Sequence, residues 1–335
     1  MRVAMTGATG YLGAHTARAV LEAGHHVQVL VPAHERAAPV IDRLRASGSV
    51  SVVVGDVRRR EDIDRVLTGV DAVIHAAGVV GTDERRTALM WEVNAHGTET
   101  VLRRGVERGL DPVVSVSSYS ALFPPPDGLI SLDTPTTEGR SAYARTKAYA
   151  DRVARELQAA GAPVVVTYPS SVVGPPFGTA PGVTEQGWAP IVRWALAPRI
   201  DGGMQMIDVR DVAEVHARLL QPGRGPRRYL CGGVLLAFDE MIDALENGMG
   251  RRIRRLPVPR RALLAAARVS DVAAQFLPVS AGLSYEAAML LTAGTPTDDS
   301  VTLADLNMTW RPPQLAIMES LRAHAGQQQF GDPIA

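Results

Sequence analysis

Lysine is almost missing from this chain. Of the 35 Lys and Arg residues, Lys147 is the one lysine and the other 34 are arginine. Cysteine is equally scarce: Cys231 stands by itself, which excludes an intrachain disulfide and fits a reducing compartment. Net charge is absent as well, 35 acidic residues balancing 35 basic ones. A nucleic-acid partner requires a basic excess or stripe and is not expected. The arginine runs Arg58–Arg60, Arg85–Arg86, Arg103–Arg104 and Arg251–Arg255 are scattered and read as solvated faces. No uninterrupted apolar run reaches membrane length. The richest, Ala262 to Val279, is broken by Arg268 and Asp271 and reads as a core or pocket helix. The opening MRVAMTG meets glycine too early for a secretory signal. These absences predict a cytoplasmic protein without an integral span. The eight histidines show no metal-ligand spacing and Cys231 has no partner, so no metal is expected.

What is present is a core and a rhythm. A hydrophobic content of 46% with 21% charged residues over 335 positions describes a globular chain. In its first half, short β-branched runs (Arg2–Met5, Val27–Val31, Val50–Val54, Ala72–His75, Val113–Val116, Val164–Thr167) alternate with stretches of helical spacing (Leu12–Ala23, Ile63–Leu67, Leu89–Arg108, Ala142–Ala160). The runs are continuously apolar, as strands covered on both faces must be. The pattern predicts an α/β fold, a doubly wound parallel sheet of Rossmann type. After Tyr168 prolines and glycines crowd residues 169–190 and the rhythm breaks. A nucleotide-binding unit over 1–168 and a smaller, discontinuous substrate-binding part over 169–330 are expected, with 205–232 returning to the first unit. The tail at Gln327–Gln329 is expected to fray.

RVAMTGATGYLGAHTARAVLEAGHHVQVLV reads strand, glycine turn, helix, strand. Gly7, Gly10 and Gly13 permit tight curvature and close backbone approach to a pyrophosphate, and a helix starting at Tyr11 offers free amides and a positive dipole end. Thr9, Leu12 and Tyr11 complete this phosphate-side turn. The single lysine falls in SAYARTKAY, four residues after Tyr143, so the two share one helix face. A tyrosine hydroxyl titrates near pH 10, about three units too high for proton exchange at neutrality. A nearby fixed cation favours the phenolate. Arginine could supply the charge, but its planar fork suits a compact site poorly. Asp208 and Asp211 in IDVRDVA read as an N-cap and a first-turn acid rather than a metal pair.

The spacing GxxGxxG in TGATGYLG resembles the extended branch of the short-chain dehydrogenase/reductase superfamily, also described as the NAD-dependent epimerase/dehydratase family. GDV at 55–57, HAAG at 75–78, NAHGT at 94–98, SVSS at 115–118, YARTK at 143–147, YPSSVVGP at 168–175 and DVRDVA at 208–213 extend the resemblance over residues 2 to about 232. It implies an NAD(P)-dependent oxidoreductase acting on C=O or CH–OH. Ser118 would hydrogen-bond the substrate oxygen, with Ser117 as fallback. Tyr143 would move the proton. Lys147 would bond the ribose and lower the tyrosine pKa. Asn94 would order water behind the lysine, unless it serves helix packing. The resemblance assigns Asp56 and Val57 to adenine, Ala76, Ala77 and Gly78 to the ribose side, and Pro169, Ser171 and Val172 to the cofactor. It also implies a homodimer built from helices around 84–108 and 142–160.

Pro32 occupies the tip of the second strand, where an acid selects NAD(H). With Arg36 close by, the sequence favours NADP(H), NAD(H) staying open. Tyr168 and Ser171 depart from the RxxN pattern of sugar-nucleotide epimerases. YPSSVVGP is closer to dihydroflavonol reductases and 3β-hydroxysteroid dehydrogenases, which implies a medium-sized, fairly apolar ketone or alcohol. Ser118, Tyr119, Tyr143, Ser170 and Met204 are the expected substrate contacts, with Met206, Phe177, Trp188 and Trp194 as further candidates for pocket or core. The alternatives are a nucleotide-sugar epimerase or dehydratase on the same fold, a non-catalytic dinucleotide sensor, against which the tyrosine–lysine pair speaks, and a membrane-associated steroid enzyme, against which the lack of a clean span speaks.

Overall fold

The computed structural model describes residues 1–36, 38–81, 84–273 and 285–328. Of the sequence expectations, the end of the apolar stretch, 274–279, and the tail residue Gln329 lie outside these residues. Twelve strands are present among them: β1 (Arg2–Thr6), β2 (His26–Val31), β3 (Val50–Val54), β4 (Ala72–His75), β5 (Val113–Val116), β6 (Val164–Pro169), β7 (Ser171–Val173), β8 (Leu196–Arg199), β9 (Gly203–Asp208), β10 (Arg227–Cys231), β11 (Val234–Ala237) and β12 (Arg254–Pro257). The helices are α1 (Tyr11–Glu22), α2 (Pro39–Ser47), α3 (Arg60–Val66), α4 (Thr87–Met90), α5 (Thr98–Glu107), α6 (Ala142–Ala159), α7 (Val183–Trp194), α8 (Val209–Arg218), α9 (Phe238–Met249), α10 (Arg260–Ala273), α11 (Tyr285–Ala293), α12 (Ser300–Leu306) and α13 (Pro313–Gln328).

Seven strands form one parallel sheet in the order β10-β6-β5-β4-β1-β2-β3. This is the doubly wound α/β arrangement the alternating apolar runs predict. Alternate residues of each strand feed two cores. Val3, Met5, Val27 and Val29 pack with α1, α2 and α8 on one face, while Ala4, Val73, Val113 and Val164 pack with α3, α5 and α6 on the other. Burial on both faces is why these strands carry no polar alternation. The chain runs outward from β1 to β3, then returns to β4 and proceeds the other way. The crevice for a ligand in such sheets opens at this switch point, between the C-terminal ends of β1 and β4.

Past β6 the segment expected to be irregular contains β7 and α7. A three-stranded sheet, β11-β9-β7, and a two-stranded one, β12-β8, enclose a third core around Trp188, Phe238, Met241, Ile242 and Leu245. Within residues 205–232, β9 joins this smaller sheet, whereas β10 pairs with β6 and extends the main one. The helical run expected over Leu89–Arg108 is interrupted: a π-helical stretch, Trp91–Gly97, separates α4 from α5. Asp208 caps α8 by accepting from the Arg210 amide at 2.8 Å, and Asp211, buried in the first turn, is held by Arg311. No helix among the described residues is long and apolar enough to cross a membrane.

Candidate active site

The glycine turn is fixed by close packing. Gly7 has φ +76°, and a Cβ there would lie 2.5 Å from the Ala77 nitrogen. A Cβ on Gly13 would fall 1.9 Å from the Gly7 carbonyl oxygen, so α1 docks on the turn only with hydrogen at that place. Gly10 is the N-cap of α1, has no side-chain cap, and is followed by no acid in the first turn. The helix therefore presents unsatisfied amides and a positive dipole end to the crevice. Below the turn, Thr6 Oγ1 lies 2.8 Å from His75 Nδ1 and accepts from the Ala77 amide at 3.2 Å, joining β1 to the turn after β4. His75 Nε2 is 2.9 Å from Thr98 Oγ1. Burial, with the nearby Lys147 charge, pushes the His75 pKa down to about 3 and keeps it neutral.

A cleft of about 360 Å³ follows this turn, lined by Gly7, Gly10, Tyr11, Leu12, Gly13, Ala76, Gly78, Tyr143, Lys147, Pro169 and Val172. These are eleven of the residues expected to touch a dinucleotide. Lys147 comes from the second turn of α6 and is buried. Its ammonium donates to the Val116 carbonyl at 3.0 Å and lies 5.9 Å from the centroid of the Tyr143 ring. Desolvation pulls its pKa down to about 8. Ser118, at the end of β5, accepts from the Ser120 amide at 3.2 Å and the Ser120 hydroxyl at 3.0 Å. The neighbouring Ser117 hydroxyl lines the cleft, buried and without a hydrogen-bond partner among the described residues.

Other expected residues sit differently. Asn94, on the π-helical stretch, takes the Val79 amide on Oδ1 at 2.7 Å and donates to the Val79 carbonyl at 2.9 Å. It also donates to Thr146 Oγ1 at 3.3 Å, so it clamps the strand-end loop to α6. The Asp56 carboxylate is gripped by Arg58, which holds its pKa low, and Val57 lies under Gly97. Thr9 donates to Glu35, a contact not anticipated from sequence. Glu35 follows the Pro32 corner on a 3₁₀ turn, and that turn brings its carboxylate back to the glycine loop. Arg36 instead lines a surface hollow with Ile41, Arg45 and Val54.

A second cavity, about 440 Å³, adjoins the cleft. Val80, Ser118, Tyr143, Ser170, Val183 and Thr184 belong to both. Beyond Tyr119, the walls are Trp188, Ile191, Ile200, Met204, Phe238, Met241, Leu263 and Leu291, and no described lining residue is charged. Ser171 lines this cavity rather than the cleft and donates to Met204 Sδ at 2.7 Å, while Ser170 lines both. Three pocket candidates fall elsewhere. Met206 is core, Phe177 packs near His15 and Arg18, and Trp194 is 69% exposed.

This crevice, with its uncapped helix N-terminus and a lysine beneath a tyrosine, fits a nicotinamide dinucleotide. The model of the NAD dependent epimerase/dehydratase family matches residues 3–232. The chain belongs to this family. It is similar to sterol demethylase protein B of Methylococcus capsulatus, with 27% identity covering 92% of this chain and 93% of the relative. It is also similar to a putative dihydroflavonol 4-reductase of Synechocystis, 28% identical over 76% of this chain and 73% of the relative. A 3-beta-hydroxysteroid dehydrogenase of Mycolicibacterium neoaurum is 29% identical over 45% and 42%. Among solved structures, UDP-glucose-4-epimerase from Stenotrophomonas maltophila, with bound NAD and formylated UDP-arabinopyranose, superposes with a TM-score of 0.77 at 19% identity over 99% of this chain and 100% of that one. This last likeness is one of fold.

Proposed function

We propose that the protein is an oxidoreductase that interconverts a medium-sized apolar ketone and its secondary alcohol with a nicotinamide cofactor. The observation that carries this reading is the junction of cleft and cavity at Ser118 and Tyr143, with Lys147 behind the phenol. When bound, the nicotinamide supplies hydride exchange. Ser118 holds the substrate oxygen, its hydroxyl fixed by two donors from Ser120. Tyr143 gives or takes the proton on that oxygen. Lys147 stabilises phenolate character at short range in a site where burial weakens screening. Asn94 acts through Val79 and Thr146, holding the loop and α6 at a fixed distance.

The substrate class rests on the uncharged walls. A sugar nucleotide brings a diphosphate, and entering this cavity would strip its water without offering a counter-charge. A sterol-sized or flavonoid-like ring system loses little on entry and buries apolar surface. For the cofactor, the preference for NADP(H) drawn from Arg36 finds no support. Glu35 is the carboxylate that Thr9 holds at the glycine turn, and a carboxylate there favours ribose hydroxyls over a 2′-phosphate. We therefore propose NAD(H). A homodimer through residues 84–108 and 142–160 belongs to the same proposal, to be checked by light scattering.

The test is a screen of purified protein with NADH and NADPH against ketones, aldehydes and hydroxysteroids, following cofactor absorbance. Turnover of an apolar ketone with NADH is expected. Co-purification of tightly held NAD with interconversion of nucleotide sugars, and no ketone turnover, would overturn the reading.

A further inference from the structure

The outer surface of the cavity wall carries an unusual charge arrangement. From Gly250 to Ser270 the chain reads GRRIRRLPVPRRALLAAARVS and contains no acidic residue. The fold gathers these arginines beside the end of α7. Arg254 N donates to the Ala195 carbonyl at 2.9 Å, and Arg251 donates to the Val192 carbonyl at 2.8 Å. β12 pairs in parallel with β8, placing Arg254 opposite Leu196 and Leu256 opposite Pro198. α10 begins at Arg260, three residues beyond β12.

Three nearby carboxylates are already engaged. Arg255 takes Asp239 at 3.2 Å and Glu246 at 3.3 Å, and also Asp243. Arg252, Arg254, Arg260 and Arg261 are exposed and form no ion pair with any described residue, in contrast to Arg58, Arg104, Arg210 and Arg218 elsewhere. Among them stand large apolar side chains in solvent: Trp194 at 69% exposure, under the Arg193 guanidinium at 5.0 Å, with Leu196 and Leu256 at 42% each. Arg252 and Arg254 lie on a solvated face, as the sequence reads them, and the fold brings Trp194 and Leu196 to it from about sixty residues upstream.

Unpaired arginines alone would suit any polyanion. Single-stranded RNA could stack a base on the exposed indole but would leave the two leucines wetted, whereas all three are buried at a headgroup boundary, where Trp and Arg are both favoured. We infer that this face docks on an anionic lipid surface, the arginines meeting headgroup phosphates and Trp194, Leu196 and Leu256 entering the interface. The same elements also line the cavity, through Trp188 and Ile191 of α7, Pro198 of β8 and Leu263 of α10. A docked molecule thus holds its apolar cavity next to the bilayer. That the cavity draws its substrate from there rests on the oxidoreductase reading; the docking does not.

The experiment is co-sedimentation of the full chain with phosphatidylcholine vesicles, with and without phosphatidylglycerol, read independently of turnover. Binding is expected to the anionic vesicles alone and to weaken with salt. Arg252→Ala and Arg254→Ala should each weaken it by about fivefold, since one basic residue at such a surface contributes roughly that factor. Emission should shift to shorter wavelength on binding, and Trp194→Phe should abolish the shift while leaving binding measurable. Three results would overturn the inference: no sedimentation with anionic vesicles, wild-type binding by the doubly substituted protein, or displacement from vesicles by an equal concentration of single-stranded RNA.

Discussion

The Lys147 ammonium lies 5.9 Å from the centroid of the Tyr143 ring while donating to the Val116 carbonyl at 3.0 Å. One cation is thereby tied to the last residue of β5, two before Ser118, and set beside the phenol on its own helix. The backbone bond fixes where the charge can sit, and burial makes that charge felt.

Removing the phenol oxygen should separate chemistry from binding. Tyr143→Phe is expected to lower kcat by about 10²–10⁴, the range for a positioned proton donor, with cofactor Kd changed by less than a few fold. Stopped-flow turnover and fluorescence titration with NADH check both halves. Near-normal turnover would remove Tyr143 from the proton step.

Lys147 makes stability depend on alkaline pH. Its pKa is about 8 in the fold against an ordinary 10.5. Between those values the unfolded chain binds the proton that the native chain releases, so stability rises with pH across that window. The burden of the buried charge is fully present below about pH 8, on the order of 3 kcal/mol. Lys147→Met should flatten this rise in melting temperature, measured by scanning calorimetry without cofactor. Lys147→Arg should fail to restore turnover, since the wider fork does not fit.

Glu35 should govern the choice of cofactor. Its carboxylate, held by Thr9, repels a 2′-phosphate. Glu35→Gln is expected to improve the NADPH to NADH ratio of kcat/KM by at least about tenfold. An unchanged ratio would leave the adenosine ribose elsewhere.

Two buried histidines should make the fold acid-sensitive. His75 bridges Thr6 and Thr98, and His216 sits 2.9 Å from Thr16 and 3.0 Å from Thr167. Burial lowers both pKa values from 6.5 to about 3. The unfolded state takes up protons that the native state refuses, so stability falls as pH drops from about 6.5 toward 3. Each histidine contributes a slope of about 1.4 kcal/mol per pH unit in that window. His216→Gln should reduce the measured slope by about one proton, read from urea denaturation at several pH values.

The strands, the glycine turn and the Tyr143–Lys147 pair were legible in the chain itself. Each is a local signal: a continuous apolar run, a glycine where a Cβ would strike the Gly7 carbonyl, a spacing of four on a helix. Packing over long sequence separations set the remainder. Glu35 reaches Thr9 only because a 3₁₀ turn follows Pro32. Asn94 meets Val79 on a π-helical stretch that no period announces. The cavity assembles side chains from Val80 to Leu291, and Trp194, a candidate lining residue by type, lies outside it. A periodic pattern says which face of an element is apolar. What that face meets depends on how the elements stack, and that is decided by the packed tertiary structure.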